Sequence, residues 1–187
     1  MLISFTGPQS SGKSTLLQKM RVCDQYRKCS FVEEVTRKVA SKGKLINESG
    51  DDITQLFILN EHLQNHMIIE KCTVLDRCII DGYLYTCHLN NIGRVSSWVV
   101  DYSRKLLGLL GAKLTTVFYP DPADVKLVDD GVRSTDTQFR NSIIELYNKF
   151  LSDHDLLRSV LPNAEIIKLT GDVDTRMKRI NESIYNK

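Results

Sequence analysis

The sequence predicts an α/β fold, a three-layer sandwich built on a five-stranded parallel sheet. Five short apolar runs read as strands: Leu2-Ile3-Ser4-Phe5, Cys29-Ser30-Phe31-Val32, Thr73-Val74-Leu75, Leu114-Thr115-Thr116-Val117-Phe118-Tyr119 and Glu165-Ile166-Ile167-Lys168-Leu169. Segments with apolar residues at helical spacing separate them, and strands alternating with helices build parallel sheets covered on both faces. A length of 187 residues, 42% hydrophobic and 26% charged, suits one domain, 1–187, around a single core.

Taken in order, the first strand turns through Gly7 and Gly12 into a helix over residues 13–20. A polar, basic connection leads to the second strand, and Glu33-Glu34-Val35-Thr36-Arg37 opens a helix to about Ala40. Residues 41–51, with Gly43 and Gly50, form a loop. Asp52 is expected to cap a helix reaching about Glu70, with Ile53, Leu56, Phe57, Leu63 and Met67 on one face. The third strand delivers Asp76-Arg77. A helix over residues 79–89 follows, then one with Trp98, Val99, Tyr102, Leu106, Leu109 and Leu110 in a stripe. Pro120-Asp121-Pro122 stops the fourth strand, and Asp121 reads as a turn residue. An acidic, glycine-containing loop over 128–136 feeds a helix whose face carries Phe139, Ile143, Leu146, Tyr147 and Phe150. Gly171-Asp172 starts the last helix, through Val173, Met177, Ile180 and Ile184.

Composition excludes several classes. No apolar run approaches the roughly 20 residues of a bilayer helix. The N-terminal run breaks at Gly7-Pro8 and lacks a basic leader, so it reads as a strand and not a secretory signal. The net charge of +2 neither demands nor excludes nucleic acid. Five cysteines (Cys23, Cys29, Cys72, Cys78, Cys87) contain no C-x-x-C pair, and reduced thiols in a cytoplasmic setting are expected. His62 and His66 stand four apart, but Leu63 occupies the place of the zinc-protease glutamate and no third ligand is indicated, so both read as structural or surface histidines.

The chemistry centres on Gly7-Pro8-Gln9-Ser10-Ser11-Gly12-Lys13-Ser14, a Walker A phosphate loop set between strand and helix. Gly7, Gln9, Ser10, Ser11, Gly12, Lys13, Ser14 and Thr15 are expected around the phosphates of ATP. Lys13 would reach the β- and γ-phosphates and the Ser14 hydroxyl would take a place on Mg²⁺. Asp76 at a strand end is the second metal-side candidate, acting through water. Arg77 follows Asp76 where many ATPases carry a water-activating glutamate, and no N-K-x-D guanine-reading sequence occurs; both features count against a motor ATPase and a GTPase. An Asp-Arg pair suits phosphoryl transfer to an acceptor, with positive charge placed beside the transferred group. Ligands in such sheets gather beyond the strand C-termini, which places the loop, Glu34, Asp76 and the residues after Tyr119 along one rim.

This set of motifs resembles the NadR-type ribosylnicotinamide kinase domains and, more loosely, the thymidylate and deoxynucleoside kinases. The resemblance is carried by the G-P-x-S-S-G-K-S loop, the E-x-x-R from Glu34 to Arg37, the D-R at Asp76-Arg77 and the D-G-x-R from Asp130 to Arg133. It implies a P-loop nucleoside/nucleotide kinase fold and transfer of the γ-phosphoryl group of ATP to a hydroxyl of a nucleoside-like molecule. It also implies that Glu34, at the position of the kinases' acceptor-side glutamate, acts toward that hydroxyl. Arg37 or Arg77 would bind the acceptor, with Phe57 and Tyr83 contributing to its pocket. Arg133 and Arg140 would close over the γ-phosphate from a helical lid at about 128–140. The adenylyltransferase and DNA-binding portions of the NadR arrangement have no counterpart here, which argues against a role in NAD synthesis. Two alternatives stay open. One is a kinase acting on a modified base or an end of DNA, served by Arg27, Lys28, Arg37, Lys38, Lys42 and Lys44. The other is a non-enzymatic nucleotide-dependent switch. No membrane partner is expected, and a homodimer is left open.

Overall fold

The computed structural model describes residues 1–68, 70–124 and 137–185. The predicted strands form as β1 (Leu2–Phe5), β2 (Ser30–Val32), β3 (Thr73–Asp76), β4 (Thr116–Pro120) and β5 (Glu165–Leu169). They make one all-parallel sheet in the order β2-β3-β1-β4-β5. The helices are α1 (Lys13–Arg21), α2 (Val35–Ala40), α3 (Asp52–His66), α4 (Ile79–Asn91), α5 (Ser97–Gly111), α6 (Thr137–Ser152), α7 (His154–Val160) and α8 (Val173–Tyr185).

Side chains alternate across a strand, and here the alternation sorts the core into two layers. Ile3 and Phe5 of β1, Val74 of β3 and Phe118 of β4 pack with Leu16, Leu17 and Met20 of α1 and Ile180 of α8. Leu2, Leu75, Val117 and Tyr119 face the other way, onto α4, α5, α6 and α7. Burying each such side chain contributes roughly 1.5–3 kcal/mol, so both layers lock the sheet. Central β1 pairs Phe5 with Asp76 on one side and with Phe118 on the other. The chain leaving β1 therefore emerges between the C-terminal ends of β3 and β4, at the point where the strand order reverses.

Several local expectations need correction. The N-cap of α3 is Asp51, whose carboxylate accepts from Thr54 N at 2.8 Å; Asp52 lies inside the helix and instead accepts from Ser96 N and Oγ. The helix ends at His66, short of Glu70. Its inner face is Gln55, Ile58, Leu59, His62 and His66, whereas Ile53, Phe57 and Met67 point outward. Gln55 and His62 lie inside because this helix walls a pocket there, so its apolar spacing runs against its burial. Trp98 and Leu109 likewise face outward on α5, which buries Val99, Leu106, Leu107 and Leu110.

The cysteines are not all reduced. Ser30 pairs with Thr73 across the β2–β3 ladder, so the residues just before each strand are neighbours, and Cys29 and Cys72 form a disulfide. It closes a loop of 43 positions that contains α2 and α3. Cys23, Cys78 and Cys87 are free thiols. Among the described residues no helix is long and apolar enough to cross a membrane.

Two glycines of α5 separate packing from propensity. A Cβ on Gly111 would lie 2.3 Å from the Val160 carbonyl oxygen and 2.9 Å from Leu161 Cδ2, while one on Gly108 meets nothing within 4 Å. We expect Gly111→Ala to destabilise by about 1–3 kcal/mol, because the α5–α7 backbone contact must open. Gly108→Ala should stabilise by about 0.5–1 kcal/mol through helix propensity. Urea unfolding of both variants checks the opposite signs.

Candidate active site

The loop after β1 adopts left-handed backbone at Gly7 (φ 139°), Ser10 (φ 54°) and Gly12 (φ 90°), the last being the N-cap of α1. Departures of this kind from right-handed backbone turn successive N–H groups to one side, making an anion-binding concavity at a helix start. The loop carbonyls are meanwhile taken by cations, two of them buried. Lys13 Nζ donates to Gly7 O (2.8 Å) and Pro8 O (2.7 Å), and also to Ser11 Oγ (3.1 Å). Arg140, in the first turn of α6, donates through Nε to Gln9 O at 3.4 Å and through Nη2 to Pro122 O at 2.8 Å. Arg176 of α8 is 2% exposed and donates to Ser11 O, Asp121 O, Gly171 O and Asp124 Oδ2 at 2.8–3.0 Å. Burial, with the neighbouring Arg77 charge adding to it, lowers the Lys13 pKa to about 7.

Across the rim, the Arg77 guanidinium is the centre of the polar cluster. Arg77 is 6% exposed with φ 72°, and its backbone N donates to Phe5 O at 2.9 Å. Its Nε donates to Glu34 Oε1 at 2.6 Å, and its Nη1 donates to Asp81 Oδ1 at 2.7 Å and Gly7 O at 2.9 Å. Glu34 stands at the N-cap of α2, where its carboxylate also accepts from Thr36 Oγ1 (2.9 Å) and Arg37 Nε (3.2 Å). Burial alone would raise the Glu34 pKa, but Arg77 overrides it and holds the carboxyl far below the usual range. Asp76 ends β3 and differs sharply. Its Oδ1 is buried with no hydrogen-bond partner among the described residues, and burial together with the Glu34 charge raises its pKa to about 6. Ser14, Arg37 and Asp76 line a second, open concavity beside the loop.

A pocket opens between α2, α3 and α4, lined by Glu34, Gln55, Ile58, His62, Arg77 and Tyr85, with Gln9 of the phosphate loop on its near wall. Tyr85 donates to Gln9 Oε1 at 3.0 Å, joining pocket and loop. Thr86 Oγ1 donates to Gly82 O at 2.6 Å and lies 3.0 Å from the Gln55 side-chain amide, which lines the wall. His62 is 2% exposed, and its ring nitrogens bond to no described residue. Burial, with His66 beside it, lowers its pKa to about 3, so the ring is neutral near pH 7. Gly82 makes room for it, since a Cβ there would lie 3.0 Å from His62 Cδ2.

Of the residues anticipated from sequence, the loop residues 7–15, Glu34, Asp76, Arg77 and Arg140 gather on one rim, and Arg37 stands beside Glu34. Phe57 is not in the pocket: it points outward under the Lys44 ammonium, 5.0 Å from the ring centroid. Tyr83 faces Phe150 on the far side of α4, and Tyr85 takes the pocket wall instead. Arg133 and the lid residues 128–136 lie outside the described residues. Sequence reasoning passed over Asp81, Gln55 and Arg176, and set His62 aside as a structural or surface histidine. Of the three passed over, Asp81 left a signal, four residues after Arg77 in the first turn of a helix.

The sequence matches the AAA domain family over residues 2–176. No curated protein matches it. Among solved structures, deoxyadenosine kinase from M. mycoides with dCMP and dCDP bound superposes with a TM-score of 0.70 at 13% identity, covering 100% of this chain and 99% of that one. Thymidylate kinase from Candida albicans gives 0.63 at 15% identity, covering 99% of this chain and 91% of that one. NadR in complex with NR gives 0.66 at 14% identity; 99% of this chain is covered, but only 50% of NadR. At such identities the likeness is one of fold. The chain belongs to the AAA domain family and is a P-loop nucleotide-binding domain with the fold of the P-loop kinases.

Proposed function

We propose that the protein is a kinase that transfers the γ-phosphoryl group of ATP to a hydroxyl of an uncharged, nucleoside-like acceptor, acting as one domain with a lid at about 128–140. One observation carries the reading: Arg77 touches both the phosphate loop, at Gly7 O, and the acceptor-side carboxylate, Glu34. Donor and acceptor pockets thus share a wall, which favours transfer between bound ligands over release of phosphate to water.

The chain's residues fit the ligands this reading requires. Asp76 Oδ1, buried and lining the same concavity as Ser14, has no partner among the described residues, as suits a residue held toward a hard cation. Among the described residues no cluster of three or more His, Cys, Asp or Glu forms, which agrees with a Mg²⁺ ion held mostly by phosphate and water. Bound there, Mg²⁺ would neutralise charge on the β- and γ-phosphates. Lys13 and Arg140 would supply positive charge from the protein, and Arg133 is assigned to the lid on its sequence alone. Glu34 stays ionised beside Arg77 and so orients the acceptor hydroxyl by accepting its hydrogen bond. Phosphoryl transfer through a loose transition state asks little more of a base.

The acceptor pocket favours a nucleoside over a nucleotide. Its cation, Arg77, already serves two carboxylates, which leaves little positive charge for an acceptor phosphate. The Gln55 amide and the neutral His62 ring present hydrogen-bonding groups in a buried place, suited to the edge of a nucleobase. The pocket holds only ≈ 30 Å³ of space, so the α2 wall must move outward to admit a nucleoside. That wall rests on a small cluster of its own, Val35, Val39 and Ile58, separate from the main core. A DNA acceptor is less well served, because Lys38 and Lys42 are paired with Glu61 and Lys44 lies over Phe57.

The testing experiment is transfer from γ-labelled ATP to nucleosides, nucleoside monophosphates, ribosylnicotinamide and DNA containing modified bases. We expect labelled nucleoside monophosphate as product; phosphate release without acceptor, or label found only in DNA, would overturn the assignment. Lys13→Ala should lower kcat by ~10²-fold or more. Glu34→Gln should leave ATP affinity within about twofold and slow transfer at least ~10-fold. Gln55→Leu and His62→Leu should change the ratio of kcat/KM among nucleosides by ~10–100-fold with the KM for ATP unchanged, as expected when a buried polar contact to the base is lost.

A further inference from the structure

We propose that Asp81 is a positioning residue for this transfer: it holds one end of the Arg77 guanidinium and so keeps Arg77 from closing both nitrogens onto Glu34. The inference rests on the reading of Glu34 as the acceptor-side carboxylate.

Asp81 is 3% exposed and receives more than a helix cap requires. Its Oδ2 accepts from Cys78 N at 3.0 Å, which completes the N-terminal cap of α4, and from Thr6 Oγ1 at 2.8 Å. Its Oδ1 takes no part in capping. That oxygen accepts from Arg77 Nη1 (2.7 Å), Tyr147 Oη (2.8 Å) and the Gly7 backbone N–H (3.4 Å). The carboxylate is thus fixed from the end of β1, the phosphate loop, α4 and α6. A buried carboxylate needs compensation, and Arg77 supplies it.

The consequence lies in what Glu34 keeps. An arginine beside a single carboxylate favours the fork-to-fork arrangement, in which two nitrogens engage both oxygens. Here Arg77 Nε reaches Glu34 Oε1, while the bonds of Nη1 to Asp81 and Gly7 O, at the opposite corner of the guanidinium, fix its rotation, and Nη2, the nitrogen that shares an edge with Nε, does not bond Oε2. Glu34 Oε2 carries one bond, from Arg37 Nε at 3.2 Å, and retains lone-pair capacity on a residue that lines the pocket. Asp81 therefore preserves the oxygen that the acceptor hydroxyl would use.

Asp81→Asn keeps the capping oxygen and removes the charge. With a nucleoside accepted in the transfer screen, we expect kcat to fall ~10²-fold while acceptor KM and the affinity for a non-hydrolysable ATP analogue stay within about threefold. In an Arg77→Lys background, where no fork can close, the same change should cost less than about threefold further. Equal losses in both backgrounds, or a wild-type kcat in Asp81→Asn, would overturn the proposal, because a structural role acts independently of Arg77. A crystal structure of Asp81→Asn decides the geometry without any acceptor: two Arg77 nitrogens on Glu34 are expected, and an unmoved Arg77 contradicts it. If no nucleoside is phosphorylated, the functional reading fails while this structural arm still decides the role of Asp81. Should Asp81→Asn not fold, Tyr147→Phe removes one donor and no charge. It should lower kcat several-fold with both affinities unchanged, and a wild-type kcat there counts against the proposal.

Discussion

The structure around the rim depends on one buried cation shared by two carboxylates and a loop carbonyl. Arg77 is almost fully enclosed, and a guanidinium in that position is tolerable only when its hydrogens are met. Glu34, Asp81 and Gly7 O take the Nε and Nη1 hydrogens from α2, α4 and the phosphate loop, and the two carboxylates compensate the charge. Each partner is costly to bury alone, so the group stands or falls together. Such clusters specify one arrangement more strongly than apolar packing does, because a misplaced member leaves an unpaired charge. The left-handed backbone at Arg77 belongs to the same constraint: it turns the side chain back over the end of β1 while the residue's own N–H still bonds Phe5 O.

The sheet explains how distant residues reach that cluster. With β1 central, β3 beside it and β4 on its other flank, the C-terminal ends of three strands deliver the phosphate loop, Asp76-Arg77 and Asp121 to one edge. Outer helices then return cations to the loop. Arg140 from α6 and Arg176 from α8 neutralise its carbonyls, so the same loop presents N–H groups to phosphate and carbonyls to protein. Two carboxylates of this rim are set apart by environment. Glu34 is held ionised by Arg77, while Asp76, desolvated and without a hydrogen-bond partner on Oδ1 among the described residues, retains a proton more readily. Two acids of one type can thereby take different roles on one rim.

The sequence revealed most of this where local chemistry and fold coincide. Glycines at positions needing left-handed backbone, five apolar runs and an acid at a strand end are local signatures, and the strands, the loop, Glu34, Asp76 and Arg77 all fall where those signatures placed them. What escaped depends on contacts between distant segments. The apolar spacing of α3 suggested an inner face of Ile53, Phe57 and Met67, yet the helix turns Gln55 and His62 inward because a pocket lies there. The Cys29–Cys72 pairing follows from strand register, which no single strand encodes. Arg176 reads as an ordinary surface arginine of an amphipathic helix until the loop it supports is in place.

The central claim is that the triphosphate and acceptor sites are two ends of one continuous cleft joined at Arg77. The most direct measurement uses a single molecule in which adenosine is joined through a chain of phosphates to the acceptor nucleoside, titrated against protein carrying a fluorescent ATP analogue or a labelled nucleoside. One molecule per chain should displace both ligands, with an affinity ~10²-fold tighter than either alone. Displacement of the ATP analogue with the nucleoside left in place would show that the two sites are not contiguous and would contradict the account.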